Sequence, residues 1–165
     1  MKPLIETIYL AGGCLWGVQE FFRHIPGVLT TEAGRANGST QMLNSNYDGY
    51  AECVKMDFDA NCLSVTQLIK YLCEIIDPYS VNLQGPDVGR KYRTGIYSNY
   101  KSHLLEAKQF IASIQSVDVT RPIAIEVLPL SNYIKSAYEH QNRLQRFPNE
   151  ACHLPRSLLH KYRRS

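Results

Sequence analysis

The sequence contains no uninterrupted apolar run near the eighteen residues that a membrane-spanning helix needs. Its first residues, one lysine followed by Leu4, Ile5 and Glu6, are too short and too interrupted for a signal-peptide core. Ala11-Gly12-Gly13-Cys14 resembles a lipoprotein cleavage site, but the leucine sits one place too far back and Glu6 interrupts the apolar segment. No C-x-x-C pair occurs, which excludes a zinc ribbon and a thioredoxin-type redox motif. There is neither a G-x-G-x-x-G run nor a Walker-type lysine pattern, so Gly12-Gly13 does not mark a nucleotide-binding loop. Charged residues make up 20% against 44% hydrophobic, too little charge and too much apolar content for a disordered chain.

What is present fits one domain spanning residues 1–165, long enough for a single core. The five cysteines, Cys14, Cys53, Cys62, Cys73 and Cys152, are odd in number and widely spread. That argues against a secreted disulfide framework and for a reducing compartment, so a cytoplasmic location is expected. The net charge of +3 gathers at the end, where Arg156, Lys161, Arg163 and Arg164 follow Cys152 with no acid among them. A solvated basic terminus accounts for this, and neither a nucleic-acid nor a membrane partner is expected. His24, His103, His140, His153 and His160 show no ligand spacing, so no metal is expected.

Periodicity places the elements. Ile5 to Ala11 reads as a strand broken by Gly12-Gly13, and Leu15 to Ile25 as a helix with one apolar face, ended by Pro26-Gly27. Val28 to Thr31 is strand-like, and Gly34 to Gly49 reads as a loop. Glu52 to Phe58 alternates, and Ser64-Val65-Thr66-Gln67 is a capping-box pattern opening a helix that runs to Ile76. Further strands are predicted over Tyr92 to Tyr97 and Pro122 to Leu128, with helices over Leu104 to Ile114 and Ala137 to Phe147. The pattern predicts a two-layer α/β (α+β) sandwich, a mixed sheet packed against helices, with the strand order left open.

Two residues carry the local chemistry. Cys14 stands where a strand turns through two glycines into a helix, and free N–H groups at a first helical turn bias a thiol towards thiolate. Glu52 shares parity with Val54, Met56 and Phe58, so it should point inward, where a carboxyl keeps its proton near neutral pH. Each also has an ordinary reading, Cys14 as an inert core thiol and Glu52 as a solvated strand end.

At this point the residues resemble a family. Gly12-Gly13-Cys14-Leu15-Trp16-Gly17 is similar to the Gly-Cys-Phe-Trp-Gly motif of the A-type peptide methionine sulfoxide reductases. Gly49-Tyr50-Ala51-Glu52 resembles their Gly-His-Ala-Glu, and Asn82 to Arg93 resembles their Asn-x-Gln-Gly-x-Asp-x-Gly-x-x-Tyr-Arg signature. His140-Gln141, followed by Pro148 and Cys152, is similar to their C-terminal segment.

The resemblance implies a ferredoxin-like core and a reductase of methionine S-sulfoxide, protein-bound or free. It implies Cys14 as nucleophile, Glu52 as proton donor, Tyr92 and Asp87 on the polar side of the pocket, and Trp16 as the apolar wall. Cys152 would resolve the Cys14 sulfenic acid as a disulfide, and thioredoxin or another dithiol would restore both thiols. A monomer with no bound cofactor and a mobile segment over residues 148–165 completes the expectation.

Three departures stand out: Leu15 replaces the motif's Phe, Arg35 stands where the family has an oxygen-binding tyrosine, and the loop from there to Glu52 is short. Tyr50, in place of His, could supply a compensating hydroxyl, whereas Arg35 could bind the oxygen or depress the Glu52 pKa. An alternative reading follows from them, a weakly active homologue that binds sulfoxide or senses oxidants through Cys14. Cys53, Cys62 and Cys73 are read as structural thiols.

Overall fold

The alternation in Glu52–Phe58 separates two faces of one sheet. The computed structural model describes residues 2–164. Its first half contains β1 (Ile5–Ala11), α1 (Leu15–Phe22), β2 (Val28–Ala36), β3 (Ala51–Asp59) and α2 (Val65–Leu72). A two-residue hairpin, β4 (Leu83–Gln84) and β5 (Asp87–Val88), precedes β6 (Gly95–Ser98) and the long helix α3 (Lys101–Gln115). The chain ends with β7 (Glu126–Pro129), β8 (Tyr133–Lys135) and two single-turn helices, α4 (Arg143–Arg146) and α5 (Arg156–Leu159).

The main sheet has six strands in the order β7-β6-β1-β3-β2-β8. Its four central strands pair antiparallel, β6 with β1, β1 with β3 and β3 with β2, which is the ferredoxin-like arrangement. β7 adds in parallel to β6 and β8 antiparallel to β2, making the sheet mixed. Ile8 and Leu10 of β1 and Val54, Met56 and Phe58 of β3 are fully buried in one core with Val18, Phe21 and Phe22 of α1 and Leu68, Ile69 and Leu72 of α2. The other parity, Tyr9, Ala11, Cys53 and Tyr97, forms a smaller cluster against Tyr133 and Leu130.

The capping box is formed as the sequence predicts. Ser64 Oγ accepts from the Gln67 N–H at 3.1 Å, and Gln67 Oε1 accepts from the Ser64 N–H at 2.8 Å. Ser64→Ala is expected to cost about 1 kcal/mol, read as a lower urea midpoint at unchanged slope.

Some boundaries differ for identifiable reasons. β2 continues through Gly34 to Ala36 where the sequence suggested a loop. That glycine lies under the Tyr133 ring, whose atoms come within 2.3–2.5 Å of where a Cβ would stand. Gly34 therefore admits the ring of the neighbouring strand, a long-range reason that local pattern does not carry. The helix predicted over Ala137 to Phe147 is divided by Asn142, held at φ 50°, into a 3-10 turn at Tyr138–His140 and α4. The strand predicted from Tyr92 begins only at Gly95, because Arg90–Tyr92 forms a 3-10 turn.

Candidate active site

β1 delivers the chain to Gly12-Gly13 and stops, and α1 begins immediately beyond Cys14, its N-cap residue. Gly13 adopts φ 82°, and a Cβ there would lie 2.7 Å from Gln84 Cβ. The close approach of the β4–β5 hairpin thus depends on this glycine. Gln84 is itself buried and fixed to Asp77, accepting its N–H at 2.8 Å and donating to its carbonyl at 2.9 Å. The hairpin brings Asp87 to the same cavity as Cys14.

That cavity, about 630 Å³, is lined by Cys14, Trp16, Glu52, Asp87, Tyr92 and Cys152. Six predicted residues from five separate chain segments therefore meet. Pro86, Lys91, His140, Ala151 and His153 line it as well. Pro86 and Lys91 lie inside the Asn82–Arg93 signature, His140 belongs to the His140-Gln141 motif and His153 follows Cys152, so the sequence carries these segments but no signal that the four side chains line one cavity. Trp16 is held in place by its Nε1–H, which donates to His140 Nδ1 at 3.2 Å, and by the Arg143 guanidinium 5.1 Å above its ring. On the C-terminal segment, Cys152 Sγ lies 3.3 Å from where a Gly17 Cβ would stand, so Gly17 leaves room for it one helical turn from Cys14.

Leu15, Arg35 and Tyr50 do not line the cavity. Leu15 is only 2% exposed and faces the core, because successive helical residues point about 100° apart. Arg35 pairs across the strands with Glu52 and so shares its face. Its guanidinium, however, donates to the Leu43 carbonyl at 3.0 Å and stacks 4.4 Å from the Tyr50 ring. Tyr50 and Arg35 instead border a separate small crevice with Asp48 and Asn132.

The electrostatics correct one expectation. Burial pushes the Cys14 thiol up to about 12, with the Glu52 carboxylate as the next cause; the hydrogen bond from the Trp16 N–H only partly opposes this. The helix N-terminus is outweighed, and the resting Cys14 side chain is a protonated thiol. Glu52 behaves as its parity suggested: burial raises its carboxyl to about 7, opposed chiefly by Lys91 and least by Arg35. Arg35 therefore does not spoil the acid. Glu52 Oε2 is buried with no hydrogen-bond partner among the described residues. Such an atom is costly to leave unpaired.

Lys91→Met is expected to raise the Glu52 pKa above about 7, since it removes the largest opposing charge. The alkaline fall of the pH–rate profile should then move upward; an unmoved profile would mean that solvent screens Lys91 from Glu52.

Residues 6–164 match the family model described as peptide methionine sulfoxide reductase. The chain belongs to the MsrA family of these reductases. A Clostridium perfringens (strain SM101 / Type A) peptide methionine sulfoxide reductase MsrA is 41% identical over 157 residues, covering 91% of this chain and 98% of that one. Methionine sulfoxide reductase A of Corynebacterium diphtheriae shares the fold with a TM-score of 0.80 at 29% identity, covering 92% of this chain and 79% of its own. Saccharomyces cerevisiae Mxr1 in reduced form gives a TM-score of 0.82 at 24% identity, covering 90% and 88%. The same yeast protein in complex with Trx2 gives 0.60 at 20% identity, covering 87% and 89%. As an MsrA family member the chain has a mixed sheet packed with helices, and none of its described helices is long and apolar enough to cross a membrane.

Cys53 is fully buried on the far face of the sheet, Cys62 is exposed beside Asp59, and Cys73 caps α2; none lines the cavity.

Proposed function

We propose that this cavity reduces methionine S-sulfoxide, protein-bound or free, with Cys14 as the nucleophile. The chain is a thiol-dependent methionine sulfoxide reductase. The observation that carries the assignment of residues is the unpaired Glu52 oxygen in the cavity that Cys14 also lines. Glu52 protonates the sulfoxide oxygen as the Cys14 sulfur attacks the sulfoxide sulfur, and the thiol proton passes to the Glu52 carboxylate so that the acid is restored. That oxygen ends on Cys14 as a sulfenic acid and methionine is released. Tyr92 hydrogen-bonds the oxygen, Asp87 orders the polar side, and Trp16 receives the methyl group. Arg35 and Tyr50 support the Glu52 strand from outside the cavity, and Leu15 anchors α1.

The Cys152 thiol then attacks the sulfenic sulfur, expelling water and forming the Cys14–Cys152 disulfide. An external dithiol of the thioredoxin type reduces it and leaves as its own disulfide; the yeast complex with Trx2 supports this choice. The segment from residue 148 shifts to let the two sulfurs meet. We read the enzyme as a monomeric cytoplasmic protein of one domain with no bound cofactor.

The presence of the Glu52 carboxyl in the cavity that Cys14 lines supports this reading over an oxidant sensor, which needs no positioned acid. A thioredoxin-coupled assay on blocked methionine S-sulfoxide tests it. Steady turnover on the S epimer is expected; its absence from the reduced enzyme would overturn the assignment.

A further inference from the structure

Spacing alone connects none of the histidines, but the fold joins two of them to a buried acid. Glu20 and His24 stand one turn apart at the end of α1, and His160 caps α5. One ligand atom from each of the three lies within 4.8 Å of the other two. His24 Nε2 and His160 Nε2 both point at Glu20 Oε2, each at 3.3 Å. The two rings meet edge to face, 5.3 Å between centroids at 86°, so their nitrogens approach the carboxylate from different directions.

We propose that Glu20, His24 and His160 form a binding site for a divalent transition-metal cation of the zinc class, fastening the C-terminal helix to the helix that carries Cys14. Ligands 2.0–2.2 Å from a tetrahedral ion lie roughly 3.3–3.6 Å apart, the separation found for both Nε2–Oε2 pairs. Two imidazoles and one carboxylate select zinc, cobalt or nickel over the hard, all-oxygen cations. A tetrahedral ion keeps one further position, which faces a cavity lined by Glu20, Leu144, Leu154, Leu159 and His160.

Arg23 already binds the same carboxylate, with Nε on Oε1 at 2.7 Å and Nη2 on Oε2 at 2.8 Å. The ion takes over Oε2, while Arg23 Nε keeps Oε1 and orients the ligand, as outer partners of ligating carboxylates do. Arg23 is 28% exposed at its side chain and has room to turn.

The consequence is positional. Without an ion, the end of the chain is held to the body by side-chain contacts such as Lys161 and Tyr162 on Glu74, both at 2.6 Å. With one, α5 is tied to α1 directly, and α5 begins four residues after Cys152. The site thus anchors the far end of the segment that carries the proposed resolving thiol.

Co²⁺ titration of the reduced, chelator-treated full chain tests this. Visible d–d absorption at one ion per chain is expected, without the near-ultraviolet band of a thiolate–cobalt bond. His24→Ala and His160→Ala should each weaken binding about tenfold or more, while Cys14→Ser and Cys152→Ser bind as the unaltered protein does. Because His160 lies in the last turn with a partly exposed side chain, His160→Gln provides a variant that keeps the fold. Co²⁺ should also slow backbone hydrogen exchange over residues 156–164, and this protection should vanish in His160→Gln. No binding, a thiolate band lost in a cysteine variant, unchanged affinity in the histidine variants, or unchanged exchange would each overturn the proposal.

Discussion

Glu52→Gln is expected to lower kcat by about a hundredfold to ten-thousandfold, the range that a positioned proton donor contributes. Glutamine matches the shape of the side chain and can still hydrogen-bond the sulfoxide oxygen, but it has no proton to give. The pH dependence separates proton donation from simple binding. With the Glu52 carboxyl raised to about 7, the acid form is present below that pH and is lost above it. The wild-type kcat should therefore fall as pH rises through about 7, and the Gln variant should lack that fall. The same substitution removes the main charge that elevates the Cys14 thiol, so alkylation of Cys14 should begin at lower pH in the variant. A kcat within a few-fold of wild type would remove Glu52 from the mechanism.

Cys152→Ser is expected to release about one methionine per chain and then stop, although the first turnover proceeds at the normal rate. The first step consumes only the Cys14 thiol, and a lone sulfenic acid has no partner from which to form a disulfide. Dimedone should label Cys14 in the stalled variant, and thioredoxin should fail to sustain turnover if small thiols are absent. The neighbouring geometry supports the pairing, since Cys152 lies beside Gly17, about one turn, roughly 5 Å, along the helix that Cys14 caps. Continued turnover with thioredoxin would show that Cys152 is not needed for resolution, and mass spectrometry of the oxidised wild type would identify the true partner.

Parity and spacing made much of the site legible. The inward direction of Glu52 follows from period two in one strand, because successive side chains leave opposite faces. The position of Cys14 at a strand-to-helix turn follows from Gly12-Gly13 and the apolar face behind them. The Asn82–Arg93 stretch carries Asp87 and Tyr92, but no local rule says that its hairpin approaches α1. That approach depends on Gly13 meeting Gln84, two residues seventy-one positions apart. Arg35 shows the opposite failure. Its place in the motif, where the family has an oxygen-binding tyrosine, made it a candidate oxygen ligand, but its contacts with Leu43 and Tyr50 draw it into another crevice.

By itself the sequence determined the first elements up to α2 in outline, the family and the residue types available for thiol chemistry, because these depend on periodicity and on motifs a few residues long. The tertiary structure alone decided the protonation of Cys14, the lack of a partner for Glu52 Oε2 among the described residues, and the meeting of His24 with His160. Each depends on burial or on distances between segments far apart in the chain. The helix N-terminus favours a thiolate in any context, yet here desolvation outweighs it, and desolvation exists only once the chain has folded around the sulfur.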